Sequence, residues 1–450
     1  MSLRGRVREV SECFVKPSNS DGGHRSIHLS PWDYLMLSVD YIQKGLLFSK
    51  PTSPTFSISA FLSDLKYSLS IALVHFYPLA GRLSSALTHD PPSTFVSLNC
   101  TNSGARFIHA ILDFSVDDVL SPAYVPDFVS SFFDHNHVVN HDGHYEPLLS
   151  LQVTELIDGV FVGCSMNHSV GDGTSFWLFF SSLSEIFKAR KLNNELPNIS
   201  LPLFDRSLLN LAGGGYGLPY THPQQFIRPS KPHTTKERFF HFNTESIVRL
   251  KAAINSDQNT VAISSLQAVS ALMWKSLTRA RKVPSDESTA CMLACSCRPR
   301  MEPRVPDNYF GNCVTVLRAW ANAGELLENS VGWAAARIHR AVVEHDAKKV
   351  KSEVELLIKS PVVHDSERLF PPYCVMLGSS PRFGMYGVDF GFGKARAIRT
   401  GFGNKFDGKI FLYPGREGGG GIDLEVCLLP EALSALESDS EFNGYLRPLD

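Results

Sequence analysis

The residue types best able to do chemistry in this chain lie in Asn167-His168-Ser-Val-Gly-Asp172-Gly173. A neutral imidazole accepts a proton near pH 7, so His168 reads as a candidate general base, with the carboxylate of Asp172 four residues on. The spacing alone is weak support. With sixteen histidines in 450 residues, about one His-x-x-x-Asp match arises by chance. A histidine beside an apolar strand is more often a hydrogen-bonded core residue. Asp172 also has a plain structural use, because a carboxylate just ahead of a helix caps the free N–H groups of its first turn.

The elements that must position His168 are legible on both sides. Val160-Phe-Val-Gly-Cys-Ser-Met166 is an apolar run of strand length, the kind buried on both faces of a sheet. After Gly171 and Gly173, Phe176, Trp177, Phe180, Leu183, Ile186 and Phe187 recur at helical spacing. His168 is therefore expected where a buried strand ends, a place from which side chains enter clefts.

Upstream, Ser30-Pro-Trp-Asp33 starts a short helix and Tyr41–Phe48 reads as a strand. Phe61, Leu65, Leu69, Ala72, Leu73 and Phe76 share one face of a helix that Pro78 stops, and Leu79-Ala-Gly-Arg-Leu83 turns into a strand. His135, His137, His141 and His144 lack metal-site spacing and are expected in a solvated loop. Between Pro197 and Pro232 the chain is rich in Pro and Gly, with Gly213-Gly-Gly-Tyr-Gly217 at its centre, which marks a crossover linker. Residues 1–196 and 237–450 then form two domains around a linker at 197–236.

In the second domain Arg238–Phe242 reads as a strand and Thr244 as a helix cap. Ser264 and Ser265 open a strong helix. Capping explains them, and free N–H groups there would also suit a polar ligand. Lys409–Tyr413 and Ile422–Cys427 read as a hairpin closing a sheet. The glycines 418–421 between them lack the Gly-Lys-Ser/Thr ending of a phosphate loop and are expected to be a hairpin loop.

Composition narrows the class. Hydrophobic content of 43% and charged content of 20% are globular values. Lys+Arg 43 against Asp+Glu 45 leaves −2, giving no electrostatic case for nucleic acid or an anionic membrane. No stretch has the apolar length of a membrane span, and the N-terminus has no apolar core behind its charges. Nine scattered cysteines fit a reducing, cytoplasmic setting, and Cys291, Cys295 and Cys297 read as strand thiols without a partner pair for zinc.

Three motifs in order give the chain a family likeness: His168-Ser-Val-Gly-Asp172-Gly173; Asn308-Tyr-Phe-Gly-Asn312 behind Arg298-Pro-Arg300; and Asp389-Phe-Gly-Phe-Gly393. With Leu79-Ala-Gly-Arg-Leu83, Gln152-Val-Thr-Glu-Leu156 and Phe406-Asp-Gly-Lys409, nearly the whole chain resembles the plant BAHD acyltransferases. The resemblance implies an α/β fold of two similar chloramphenicol-acetyltransferase-like domains, each a mixed sheet flanked by helices, with a channel between them. It implies a monomer that takes acyl-CoA as co-substrate and a small-molecule acceptor, with no bound cofactor and no metal. His168 would take the acceptor's proton, and Asp172 would turn away and pair with Arg298, with Gly173 in the same turn. The chain departs from the family where the last motif has Phe392 in place of Trp, and at Gly378-Ser379-Ser380-Pro381-Arg382. Ser379 and Ser380 are candidate oxyanion or acceptor contacts there, and Ser264 and Ser265 are candidate CoA contacts. Asp389 reads as structural. The alternation of its motif predicts a short strand with Phe390 and Phe392 on one face.

The leading expectation is acyl transfer from acyl-CoA to a hydroxyl, less readily an amine, of a plant metabolite. The same scaffold used as a CoA-independent lyase or other proton-transfer enzyme is the alternative, followed by a catalytically silent binding protein. A serine hydrolase is least favoured, since no Gly-x-Ser-x-Gly elbow exists.

Overall fold

The computed structural model describes residues 7–19, 25–192, 199–209, 216–228, 234–364 and 369–446. The strands among the described residues, in chain order, are β1 (Arg8–Val15), β2 (Arg25–His28), β3 (Ile42–Ser49), β4 (Arg82–His89), β5 (Pro92–Cys100), β6 (Ala105–Ile111), β7 (Leu149–Glu155), β8 (Gly159–Met166), β9 (Lys236–Phe242), β10 (Ser288–Ser296), β11 (Val314–Asn322), β12 (Val375–Gly378), β13 (Ala397–Thr400), β14 (Lys409–Pro414) and β15 (Ile422–Leu428). They form two six-stranded mixed sheets, ordered β1-β6-β7-β8-β3-β13 and β11-β10-β12-β14-β15-β9, and a three-stranded sheet β2-β5-β4.

The apolar run 160–166 becomes β8, buried along its whole length between β7 and β3. Helices Ile58–His75 and Gly173–Lys191 pack together through Phe61 and Phe187 over the first sheet. Helices Thr244–Asp257, Ser265–Ala280 and Val331–Glu344 build the second core against β9, β10 and β15. The sheets are not the property of one half each. β13 comes from the C-terminal half yet pairs antiparallel with β3, Ala397 facing Leu47 and Thr400 facing Lys44.

Several local expectations change. The 409–427 hairpin forms as β14 and β15, but β9 lies outside it as the edge strand. Asn243, not Thr244, caps its helix by accepting from the Ser246 amide. The 135–144 segment is not solvated throughout. His135 is buried and stacked on Tyr41, because that aromatic face and the carboxylates of Asp134 and Glu146 give it an environment. The Asp389 motif is not a strand. Asp389 Oδ1 accepts from the amides of Gly391, Phe392 and Gly393, winding the chain into a turn that needs φ of 84° at Gly391 and 78° at Gly393. Of the linker centre, 213–215 lie outside the described residues.

Candidate active site

Strand β8 ends at Met166, and the chain then turns sharply. Asn167 folds over the turn, its Oδ1 accepting from the amide and hydroxyl of Ser169 and its Nδ2 donating to the Asn140 carbonyl. His168 is held from both sides: its amide donates to Asn140 Oδ1 at 2.6 Å and its carbonyl accepts from Asn312 Nδ2 at 2.8 Å. Asn312 is fixed in turn by Asp33, which accepts from its amide and side chain and is itself paired with Arg206 at 2.9 Å. The last residue of the Asn308–Asn312 motif thus locks the His168 backbone to the helix Pro31–Leu35.

Asp172 sits four residues on as the N-cap of the helix Gly173–Lys191, accepting from the Thr174 and Ser175 amides at 3.1 Å each. It also forms a two-pronged pair with Arg298, at 2.6 and 3.0 Å, and accepts from the Cys313 amide. Burial alone would push this carboxyl up. The Arg298 guanidinium and the N–H donors outweigh it, holding Asp172 below the usual carboxylate range. Arg298, 2% exposed, also donates to the carbonyls of Tyr309 and Gly311, tying the second motif to the first.

Burial also sets the state of His168. It disfavours the imidazolium; Asp172, Asn312 and the residue's own carbonyl pull the other way, and Lys409 pushes further down. The net shift is below the ordinary histidine value, so the ring is neutral at pH 7. Its Nδ1 is buried without a hydrogen-bond partner.

His168 lines a cavity of about 920 Å³ between the two sheets, a size that holds metabolite-scale ligands. Trp32, Lys44 and Phe176 wall it from one side, and Thr315, Ser379, Lys409 and Phe411 from the other. His364 also lines it, pushed down to about 4 by burial, Arg318 and His168. Ser379 stands at φ 67°, an uncommon conformation for a residue with a side chain, and its hydroxyl is buried with no partner.

The remaining candidate residues separate from this group. Ser380 Oγ accepts from the Arg382 amide within its own turn and does not line the cavity. Ser264 caps its helix reciprocally with Gln267, and neither it nor Ser265 lines the cavity. Asp389 is bound up in its turn and in the Ser184 side chain, away from His168. Among the described residues no cluster of His, Cys, Asp and Glu could hold a metal ion.

Lys44, His364 and Asp33 were missed. A lysine inside the otherwise apolar Lys409-Ile-Phe-Leu-Tyr413 strand was a readable signal for Lys409, since a buried ammonium needs a reason. Lys44 in Tyr41–Phe48 carried the same signal.

Residues 6–443 match the family model described as the Transferase family. An uncharacterized acetyltransferase of Arabidopsis thaliana is 38% identical over 97% of this chain and 98% of its own length. The BAHD acyltransferase DCR of the same plant is 31% identical over 97% and 92%. The fold matches that of vinorine synthase with a TM-score of 0.75 at 20% identity, covering 98% of each chain. No helix of the described residues is long and apolar enough to cross a membrane. The comparisons lend no support to the lyase alternative. The chain belongs to the BAHD Transferase family and is an acyltransferase.

Proposed function

We propose that the protein moves an acyl group from acyl-CoA to a hydroxyl of a small plant metabolite, an amine being the less favoured acceptor, with His168 as general base. The observation that carries this reading is a neutral histidine, fixed through both of its backbone polar groups, on the wall of a metabolite-sized cavity. The acceptor O–H gives its proton to the imidazole as its oxygen attacks the thioester carbonyl. The tetrahedral intermediate collapses, the C–S bond breaks, and the imidazolium returns the proton to the departing thiolate. No covalent enzyme intermediate and no metal enters this scheme. The unpartnered Ser379 hydroxyl is the donor we assign to the oxyanion, because it is buried, preset by its backbone and otherwise unused.

Asp172, Gly173, Arg298 and Asp389 are supports in this scheme. The first three keep the His168 turn in register, and Asp389 shapes a remote aromatic corner. The protein would act as a monomer in the cytoplasm, a setting with which nine unpaired cysteines agree. The test is thiol release from acetyl-, malonyl-, benzoyl- and hydroxycinnamoyl-CoA, with and without pooled plant alcohols and amines. Acceptor-dependent release that His168→Ala abolishes supports the scheme. Acceptor-dependent release that survives in a folded His168→Ala enzyme removes His168 from it.

A further inference from the structure

Four carboxylates and four cations line the cavity, and among the described residues it is cations that are left without an ion-pair partner. Each wall carboxylate has a donor inside the protein. Asp40 accepts from the Asn404 amide, Asp172 from Arg298, Glu353 from Thr315 and His345, and Asp407 from Arg281 at 2.9 Å. Lys405 is matched as well, lying 2.7 Å from Glu237 and 3.3 Å from Glu425. Among the described residues Lys44, Lys409 and Arg318 have no carboxylate at ion-pair distance. Arg318 is exposed and donates to the Val316 carbonyl of its own strand. The two lysines are 7% exposed each.

Lys44 Nζ is buried without a hydrogen-bond acceptor and lies 4.4 Å from the Phe411 ring centroid and 5.1 Å from that of Tyr413. Lys409 Nζ lies 5.1 Å from the same Phe411 centroid, its other ring contact being Phe406. Its Nζ packs against Gly378, where an added Cβ would stand only 2.8 Å away, so the glycine leaves room beside Ser379 for the ammonium. Aromatic faces favour a cation but do not replace the hydrogen bonds an ammonium loses on leaving water. Burial and mutual repulsion accordingly push Lys44 down to about 7, and burial pushes Lys409 down to about 8. Glu425, the nearby acid, is occupied by Thr400, Tyr413 and Lys405.

We propose that Lys409, backed by Lys44, is a carboxylate-binding subsite beside His168, so that the acyl group or the acceptor carries a free carboxylate. Lys409, Lys44, Gly378, Ser379 and His168 line the same cavity, which puts the subsite in the compartment of the reacting groups. The phosphates of CoA lie a pantetheine arm away from the thioester and do not fit that place. The assignment rests on the acyl-transfer reading for the identity of the two substrates, but its test is a binding measurement that needs no turnover.

Calorimetric titration of the full-length chain with two matched pairs decides it: malonyl-CoA against acetyl-CoA, and 4-(hydroxymethyl)benzoate against its methyl ester. One carboxylate should bind at least about tenfold tighter than its neutral partner, the scale of one charge-assisted hydrogen bond. The pair that discriminates identifies which substrate carries the anion. Lys409→Met should erase the discrimination and leave the neutral member's Kd unchanged, and Lys44→Met should reduce it less. Lys409→Gln serves as a second variant of similar length should Met fail to fold. His168→Ala should keep the discrimination. Absence of discrimination in both wild-type pairs, or equal weakening of both members by Lys409→Met or Lys409→Gln, overturns the subsite. An enzyme that releases no thiol from any donor yet discriminates by charge would instead overturn acyl transfer and leave the subsite standing.

Discussion

Two sets of residues meet at the cavity, one around the His168 backbone and one along the open wall, and they treat charged groups in opposite ways. Around the His168 backbone the charged groups are matched inside the protein, although Arg298 Nε, Asn312 Oδ1 and the Tyr309 hydroxyl are buried without a partner. Asp172 accepts from Arg298 and three amides, Asn312 holds the His168 carbonyl, and Asp33 holds Asn312. Elsewhere on the cavity wall, on β3 and on the second sheet, Lys44 Nζ and Ser379 Oγ are buried with nothing to bond among the described residues, and Lys409 faces the rings of Phe406 and Phe411. Buried polar groups cost free energy unless satisfied, and one that lines a cavity can be completed by a ligand. The charge-matched set is built to hold one geometry, and the set along the open wall is built to receive. His168 belongs to both, with its backbone fixed and its Nδ1 unpartnered.

Breaking the receiving groups should cost turnover, and breaking the holding groups should cost stability. The largest effect is expected from His168→Ala, which should lower kcat roughly 10²–10⁴-fold while the unfolding temperature barely moves. Single-turnover kinetics beside a thermal melt checks both halves. Arg298→Met comes next. It strands the Asp172 carboxylate in a buried site, a loss of about 3–5 kcal/mol, visible as a shifted urea midpoint. A variant that melts normally but fails to turn over would move Asp172 from the holding side to the receiving side.

Ser379→Ala sharpens the division from the open wall. Removing one oxyanion donor should lower kcat by roughly 10²-fold at unchanged stability, since the hydroxyl has no partner to lose in the folded chain. Full kcat in this variant would remove the hydroxyl from the reaction. The pH dependence follows from His168 being held below its ordinary value. The acid limb of kcat/KM should therefore fall below the ordinary histidine range. For stability the sign is separate: the folded ring binds a proton less readily than the unfolded one, so acidification through about 6.5 favours unfolding. His168→Ala should flatten that dependence, as measured by melts across pH.

Much of the holding set was legible from the sequence because it is local. An apolar run, two glycines and a helix-spaced stretch place His168 and Asp172, and the family motifs supply Arg298. The receiving side was not legible, because it is made of distant pairings. Lys44 reaches Phe411 across some 370 residues through packing of the two sheets, and β13 crosses from one half to the other to pair with β3. Ser379 drew notice as a departure from the family, but nothing in a sequence separates its unpartnered hydroxyl from that of Ser380. The Asp389 motif misled for a related reason. Its Phe-Gly-Phe alternation has the period of a strand, yet one carboxylate collects three consecutive-region amides and bends the chain instead.

That corner supplies the smallest expected effect and the cleanest control on the comparison. Phe392 takes the place of the family's Trp and packs its ring 5.5, 5.7 and 4.8 Å from those of Phe48, Phe56 and Phe61. It belongs to neither side of the cavity. The residue is only partly buried, so an indole can extend toward solvent rather than force its neighbours apart. Phe392→Trp should shift stability by about 1 kcal/mol or less, at the low end of the usual overpacking cost, and should leave kcat and the KM for both substrates unchanged. Steady-state kinetics with the preferred donor, beside a urea titration, decides it. A change in donor or acceptor preference at unaltered stability would mean that this aromatic corner reaches the cavity through β3, whose Phe48 touches Phe392 and whose Lys44 lines the wall. The receiving region would then extend beyond the residues that face the cavity.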